Sequence, residues 1–81
     1  MEFATRVGRR MDAAKKDPLE AQGLYQEMEN CARQEGPETL RVFCLSDARE
    51  LSRIYPDRLG KRFEELRGSL PAAIVSLEDS F

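Results

Sequence analysis

Two cysteines, fifteen carboxylates and thirteen basic side chains are the reactive groups of this 81-residue chain, and it has no histidine. Histidine is the usual general base near neutral pH and the commonest zinc and haem ligand, so those sites cannot be built in their ordinary form. A Cys–His nucleophile pair is excluded for the same reason. The spacing of Cys31 and Cys44 fits no metal or redox motif, and two cysteines are too few for a disulfide framework. Glycines stand singly at positions 8, 23, 36, 60 and 68, so no glycine-rich loop can cradle a phosphate. The acids fall at caps or on polar helical faces, and nothing marks two of them as a buried pair. The expectation is a chain that is not an enzyme and carries no cofactor and no metal.

Both cysteines lie near apolar helical positions, where a free thiol packs as a small hydrophobe. Free thiols persist in reducing surroundings, which predicts an intracellular setting, cytoplasmic or nuclear. No segment approaches the roughly 20 apolar residues of a membrane span, and no N-terminal run is built like a signal peptide. Mean hydropathy is -0.59 and charged residues make up 35% of the chain, well above the usual globular share. The formal net charge of -2 disfavours nucleic acid as a partner. The charge is partitioned, however. Residues 1–16 are net basic, 17–38 strongly acidic, 39–67 mildly basic, and the tail carries only Glu78 and Asp79. An acidic helix lying between two basic ones, with complementary solvated faces, accounts for that pattern.

The elements that must position these groups are all helical. Phe3, Val7, Met11 and Ala14 recur as one stripe over residues 2–16. Asp17-Pro18 ends that helix and starts the next, with Asp17 as N-cap, Pro18 at N1 and Glu20 in a capping-box position. Ala21, Leu24, Tyr25, Met28, Cys31 and Ala32 form the second apolar face. Gly36-Pro37 closes it, with Gly36 suited to a left-handed residue. Residues 38–55 contain a strand-like run, Thr39 to Leu45, but nothing else in the chain alternates with period two to pair with it. A helix is therefore predicted, its inner face Leu40, Phe43, Cys44, Ala48, Leu51, Ile54 and Tyr55. Ser46-Asp47 with Glu50 resembles a second N-cap, so the helix is either continuous or breaks near Ser46, and the cap favours a break. Leu59, Phe63, Leu66 and Leu70 line a fourth helix, and Leu70, Ile74, Leu77 and Phe81 a fifth. The fold class is all-α: a compact bundle of four to five short helices forming a single domain over residues 1–81, as a module or fragment of a larger protein.

Within that bundle Val42 and Leu45 point away from the assigned inner face of the third helix. They are expected to stand exposed beside Arg49, and apolar side chains rimmed by charge mark a surface for a partner helix. Val42, Leu45 and Arg49 are therefore the candidate partner-binding residues. The competing expectation is that a central helix in so small a bundle buries all its faces.

From Leu51 onward the chain resembles the harmonin-homology domain. The residues are Leu51-x-x-Ile54-Tyr55, then Phe63-x-x-Leu66-Arg67-x-x-Leu70-Pro71, then an amphipathic tail ending in Phe81. The resemblance covers about residues 51–81, and the segment around Gly36-Pro37 departs from the family pattern. It implies a five-helix bundle whose hydrophobic groove captures short helical peptides, and it transfers no catalytic residues. The expected function is a protein–protein interaction module, in an adaptor, scaffold or regulatory role, that binds an amphipathic helical segment of a partner. Two alternatives stand beside it. One is a nucleic-acid-binding domain using the basic faces of the first and later helices. The other is a homo-oligomerisation domain.

Overall fold

The computed structural model describes residues 2–80, with side chains from residue 8 onward. Five helices follow one another: α1 (Glu2–Ala14), α2 (Pro18–Arg33), α3 (Glu38–Ile54), α4 (Pro56–Ser69) and α5 (Ala72–Asp79). There is no strand among the described residues. The all-α bundle is therefore as expected. The Cα radius of gyration is 11.8 Å, which matches the roughly 12 Å of a compact chain this long. Phe3, Val7 and Phe81, assigned above to apolar stripes, lie outside the described side chains.

Local chemistry explains the corners. The Asp17 backbone N–H still bonds the Ala13 carbonyl of α1 at 3.1 Å, while its carboxylate accepts from Leu19 N–H at 3.0 Å. One residue thus ends α1 and caps α2, and Pro18 supplies a preset φ at N1. The α2 exit differs from expectation. No described glycine has a positive φ. The chain leaves α2 through Gln34 in an extended conformation, and Pro37 biases the residue before it away from helix. The carbonyl of Ala32, near the end of α2, is met by the Arg41 Nε at 3.0 Å instead. A cross-helix side chain does the work a left-handed glycine would have done.

Cys31 and Cys44 form a disulfide, with Cα atoms 6.0 Å apart, joining the last turn of α2 to α3. This corrects the free-thiol expectation, because folding brings two cysteines remote in sequence onto facing sides of the α2–α3 hairpin. The predicted break in α3 is also absent: the helix runs unbroken from Glu38 to Ile54. Buried residues on either side of Ser46-Asp47 (Cys44, Leu45, Ala48 and Leu51) keep the turn helical. That packing overrides the local capping preference of Asp.

The core draws on all of the helices: Ala14 from α1, the expected face of α2, Leu59, Phe63 and Leu66 of α4, and Ile74 of α5. α3 is in contact with α2, α4 and α5. The acidic α2 is flanked by cations as its charge pattern suggested. Arg10 of α1 pairs with Glu27, and Arg62 of α4 reaches Gln26 at 3.0 Å and Glu29 at 3.3 Å, its guanidinium 4.7 Å from the Tyr25 ring centre. Arg33 donates to Ser69 Oγ at 2.8 Å. Side chains thus link α2 to α4 at two places, Gln26/Arg62 and Arg33/Ser69. The Tyr55 hydroxyl donates to the Ala14 carbonyl at 2.6 Å and closes the end of α1 against the α3–α4 corner.

The disulfide closes a loop of about fourteen residues. In the chain-entropy account, reducing it should lower stability by about 3 kcal/mol. Urea unfolding with and without a thiol reductant measures that difference. A midpoint that does not move would mean that packing alone sets the hairpin.

Candidate functional site

The three residues singled out on α3 share one side of the helix, at spacings of three and four. Their surroundings differ from expectation. Val42 is 1% exposed and Leu45 0%, so the exposed apolar patch they were to form is not there. Leu40 and Phe43, assigned to the interior, are instead 41% and 36% exposed. Cys44, Ala48 and Leu51 are buried as expected. The physical reason is that α3 packs on two sides. α2 takes the Cys44/Ala48/Leu51 side, and α4 and α5 take the side carrying Val42, Leu45 and Arg49. The buried arc therefore swings toward Val42 and away from Phe43.

Arg49 sits at the junction of α3, α4 and α5. Its Nε and Nη2 donate to Glu78 Oε1 at 2.9 and 2.5 Å, and Nη2 also reaches Asp79 Oδ1 at 2.7 Å. Arg67 of α4 donates to Asp79 Oδ2 at 2.9 Å from the other side. The Arg49 guanidinium lies 5.5 Å from the Phe63 ring centre. Glu78 is only 4% exposed. The buried Glu78 carboxylate is stable only with the partly exposed Arg49 as its partner, because alone it would lack solvation. Burial by itself would lower the affinity of Arg49 for its proton. The hydrogen bond and charge of Glu78, followed by those of Asp79, outweigh that and hold it above the ordinary arginine value.

Glu78, Asp79 and Arg67 were not singled out from the sequence. The signal was present: Glu78 follows Ile74 by one turn, so an acid interrupts the apolar face of the last helix. An acid at such a position requires a cation in the bundle. Which cation answers it depends on how α5 crosses α3.

Next to this corner the surface opens into a shallow groove of about 280 Å³ lined by Glu38, Thr39, Val42 and Leu77. Leu77 is 43% exposed, against its expected place on the buried stripe. Phe43 lies one helical turn beyond Thr39, whereas Leu40, two residues before Val42, is on the far side of α3 from the groove. The groove falls below the usual range for small-molecule pockets, and it offers one carboxylate and one hydroxyl as polar groups. It suits one or two side chains of a docked segment.

Two buried polar groups stand apart from this corner. The Tyr25 hydroxyl and Asp47 Oδ2 are enclosed without a hydrogen-bond partner among the described residues. Burial, with the nearby Glu29 charge, pushes the Tyr25 hydroxyl up to about 12. Burial, then the charge of Glu50, pushes Asp47 up to about 6. No group of three or more potential metal ligands occurs among the described residues.

No protein-family model, curated protein or solved structure matches this chain.

Removing one partner of the corner pair should be costly. Arg49→Ala leaves Glu78 buried and unpaired and should cost about 2–3 kcal/mol, less than a fully enclosed pair because Arg49 is partly solvated. Arg49→Ala with Glu78→Gln should recover part of that loss, and denaturant titration of both variants checks it.

Asp47 gives a pH signature of defined sign. Between its ordinary value of 3.8 and about 6, the folded chain holds a proton that the unfolded chain has released. Stability therefore falls as pH rises through that window and is level above it. Asp47→Asn removes the titration. It should be more stable than the parent at pH 7 by about 1 kcal/mol, once solvent screening of a half-exposed side chain is allowed for. The advantage should vanish below pH 4. Melting curves of the two proteins from pH 4 to 7 test this.

Proposed function

We propose that this chain is a helical protein-interaction module that takes up an amphipathic helical segment of a partner. The observation that carries the reading is the groove between α3 and α5, bordered by Glu38, Thr39, Val42 and Leu77, with Leu77 43% exposed. Helix-in-groove recognition needs this kind of surface, in which apolar anchors one turn apart enter a trough beside charged rims. The site is thus moved from the exposed Val42/Leu45 patch expected at first to the edge of Val42 and its neighbours. A five-helix bundle that captures helical peptides is also what the harmonin-homology resemblance of residues 51–81 implies.

Charge argues for protein over nucleic acid. Arg10, Arg33, Arg49, Arg62 and Arg67 all lie in ion pairs with carboxylates of the chain itself. Those five are not available to phosphates without breaking internal contacts. The cytoplasmic or nuclear setting expected from free thiols loses that support, since a Cys31–Cys44 bond persists where the surroundings oxidise. No helix among the described residues is long and apolar enough to cross a membrane.

The test is a backbone NMR titration of the chain with a designed amphipathic helical peptide and with a scrambled peptide of the same composition. Resonances of Thr39, Val42 and Leu77 should shift with the amphipathic peptide and stay fixed with the scrambled one. Shifts confined to exposed cations such as Lys15, Lys16 and Arg58, abolished by salt, would overturn the reading in favour of an anion-binding surface. Shifts on simple concentration, with no peptide, would overturn it in favour of self-association.

A further inference from the structure

Val42, Leu45 and Arg49 recur at i, i+3 and i+7, the pattern by which one helix presents a face to another. α5 lies along that face. Its Glu78 accepts both bonds from Arg49, its Leu77 meets Val42 across the groove, and its Ile74 is 2% exposed. A helix of the same chain thus already occupies much of the face that carried the original partner-binding assignment.

α5 is short, and beyond the buried Glu78 contact its anchors are few. It has eight residues, well short of the roughly 12–15 that let an isolated helix persist in water. It has no side-chain N-cap bond at Pro71. Ile74 is its one buried apolar residue, and Leu77 remains 43% exposed. Its other anchor is ionic, and the Asp79–Arg67 half of that anchor is solvent-accessible, with side chains 46% and 36% exposed. The connection to α4 runs through Leu70 in an extended conformation followed by Pro71.

The geometry points to α5 as a displaceable helix covering the Val42, Leu45 and Arg49 face of α3, so that its departure widens the α3–α5 groove into a full helix-binding trough. Resting on the reading of this surface as a helix-binding site, it also specifies the partner. The incoming helix must bring an aliphatic residue, a carboxylate one turn later and a second acid directly after it, as in Ile74-x-x-Leu77-Glu78-Asp79. Displacing α5 leaves Arg49 beside Phe63 without its carboxylate, and only an acid can replace it there. A helix with lysine or arginine at those positions is rejected by the same two arginines. Because α5 is tethered, it competes at a high effective concentration, so the apparent affinity of any partner is lowered by the fraction of time α5 is docked.

The probe is a labelled synthetic peptide copying residues 70–80, titrated into the full chain and into an Ile74→Ala, Glu78→Gln variant of the full chain. The variant should bind the peptide about tenfold more tightly than the parent, since its own α5 competes less. A peptide with lysine in place of Glu78 should bind neither. Equal affinity for parent and variant, or no binding to a variant whose α2 and α3 amides remain protected, overturns the proposal. Should the variant fail to fold, amide exchange on the unmodified chain decides. α5 must exchange through local opening, well ahead of α2 and α3, and exchange of α5 only together with those helices overturns it. Shifts at Thr39, Val42 and Leu77 with α5 protection unchanged would leave the groove reading standing and sink displacement alone.

Discussion

Everything in this bundle turns on α3 having to serve two sides at once. α2 folds back on it as an antiparallel hairpin, cross-linked at Cys31–Cys44, and α4 and α5 lean on its other side. A helix in that position needs an apolar arc much wider than a single stripe. Val42, Cys44, Leu45, Ala48 and Leu51 provide it, and all are at most 1% exposed. The unbroken course of α3 through Ser46-Asp47 follows from the same demand. So does the enclosure of one Asp47 oxygen, a group that prefers water.

Around that helix the charged residues act as spacers and latches between elements. Arg10 ties α1 to α2, Arg62 ties α4 to α2, and Arg49 ties α5 to α3. These pairs differ in what they contribute. Exposed pairs such as Arg67 with Asp79 are screened and contribute little. Glu78 of the Arg49–Glu78 contact is buried, so the worth of the pair lies in specificity: it dictates where α5 docks, and it penalises any arrangement that leaves Glu78 alone. A thin core and a high charge content are compatible here because many of the charges are turned on one another between helices.

Most of the architecture was legible. The Asp17-Pro18 and Pro56 boundaries are written in residues with fixed stereochemical consequences, and the expected α2 face is buried at Ala21, Leu24, Tyr25, Met28 and Ala32, with Cys31 partly buried beside them. α2 was legible because its apolar residues occupy one narrow arc, which leaves no choice of inner face. α3 was not. Leu40, Val42, Phe43, Cys44 and Leu45 lie nearly all round the cylinder, so periodicity allowed two inner faces, and the one containing Leu40 and Phe43 was the wrong choice. The disulfide was hidden for a related reason: thirteen residues of separation says nothing until the hairpin register places two turns side by side. Arg49 is expected at a partner surface, and the contact it makes in the bundle is with the chain's own Glu78.

The sequence by itself determined that the chain is helical, where each helix starts and stops to within a few residues, and that histidine-based chemistry is closed to it. These are properties of short stretches and of residue inventory, governed by local sterics and by the 3.6-residue period. Only the tertiary structure decided which side of α3 is buried, that the two cysteines are bonded, and that a carboxylate in the last helix lies inside against an arginine twenty-nine residues earlier. Each of those depends on the angle and register at which one helix crosses another. Those are set by the summed packing of all five helices, and no local pattern encodes them.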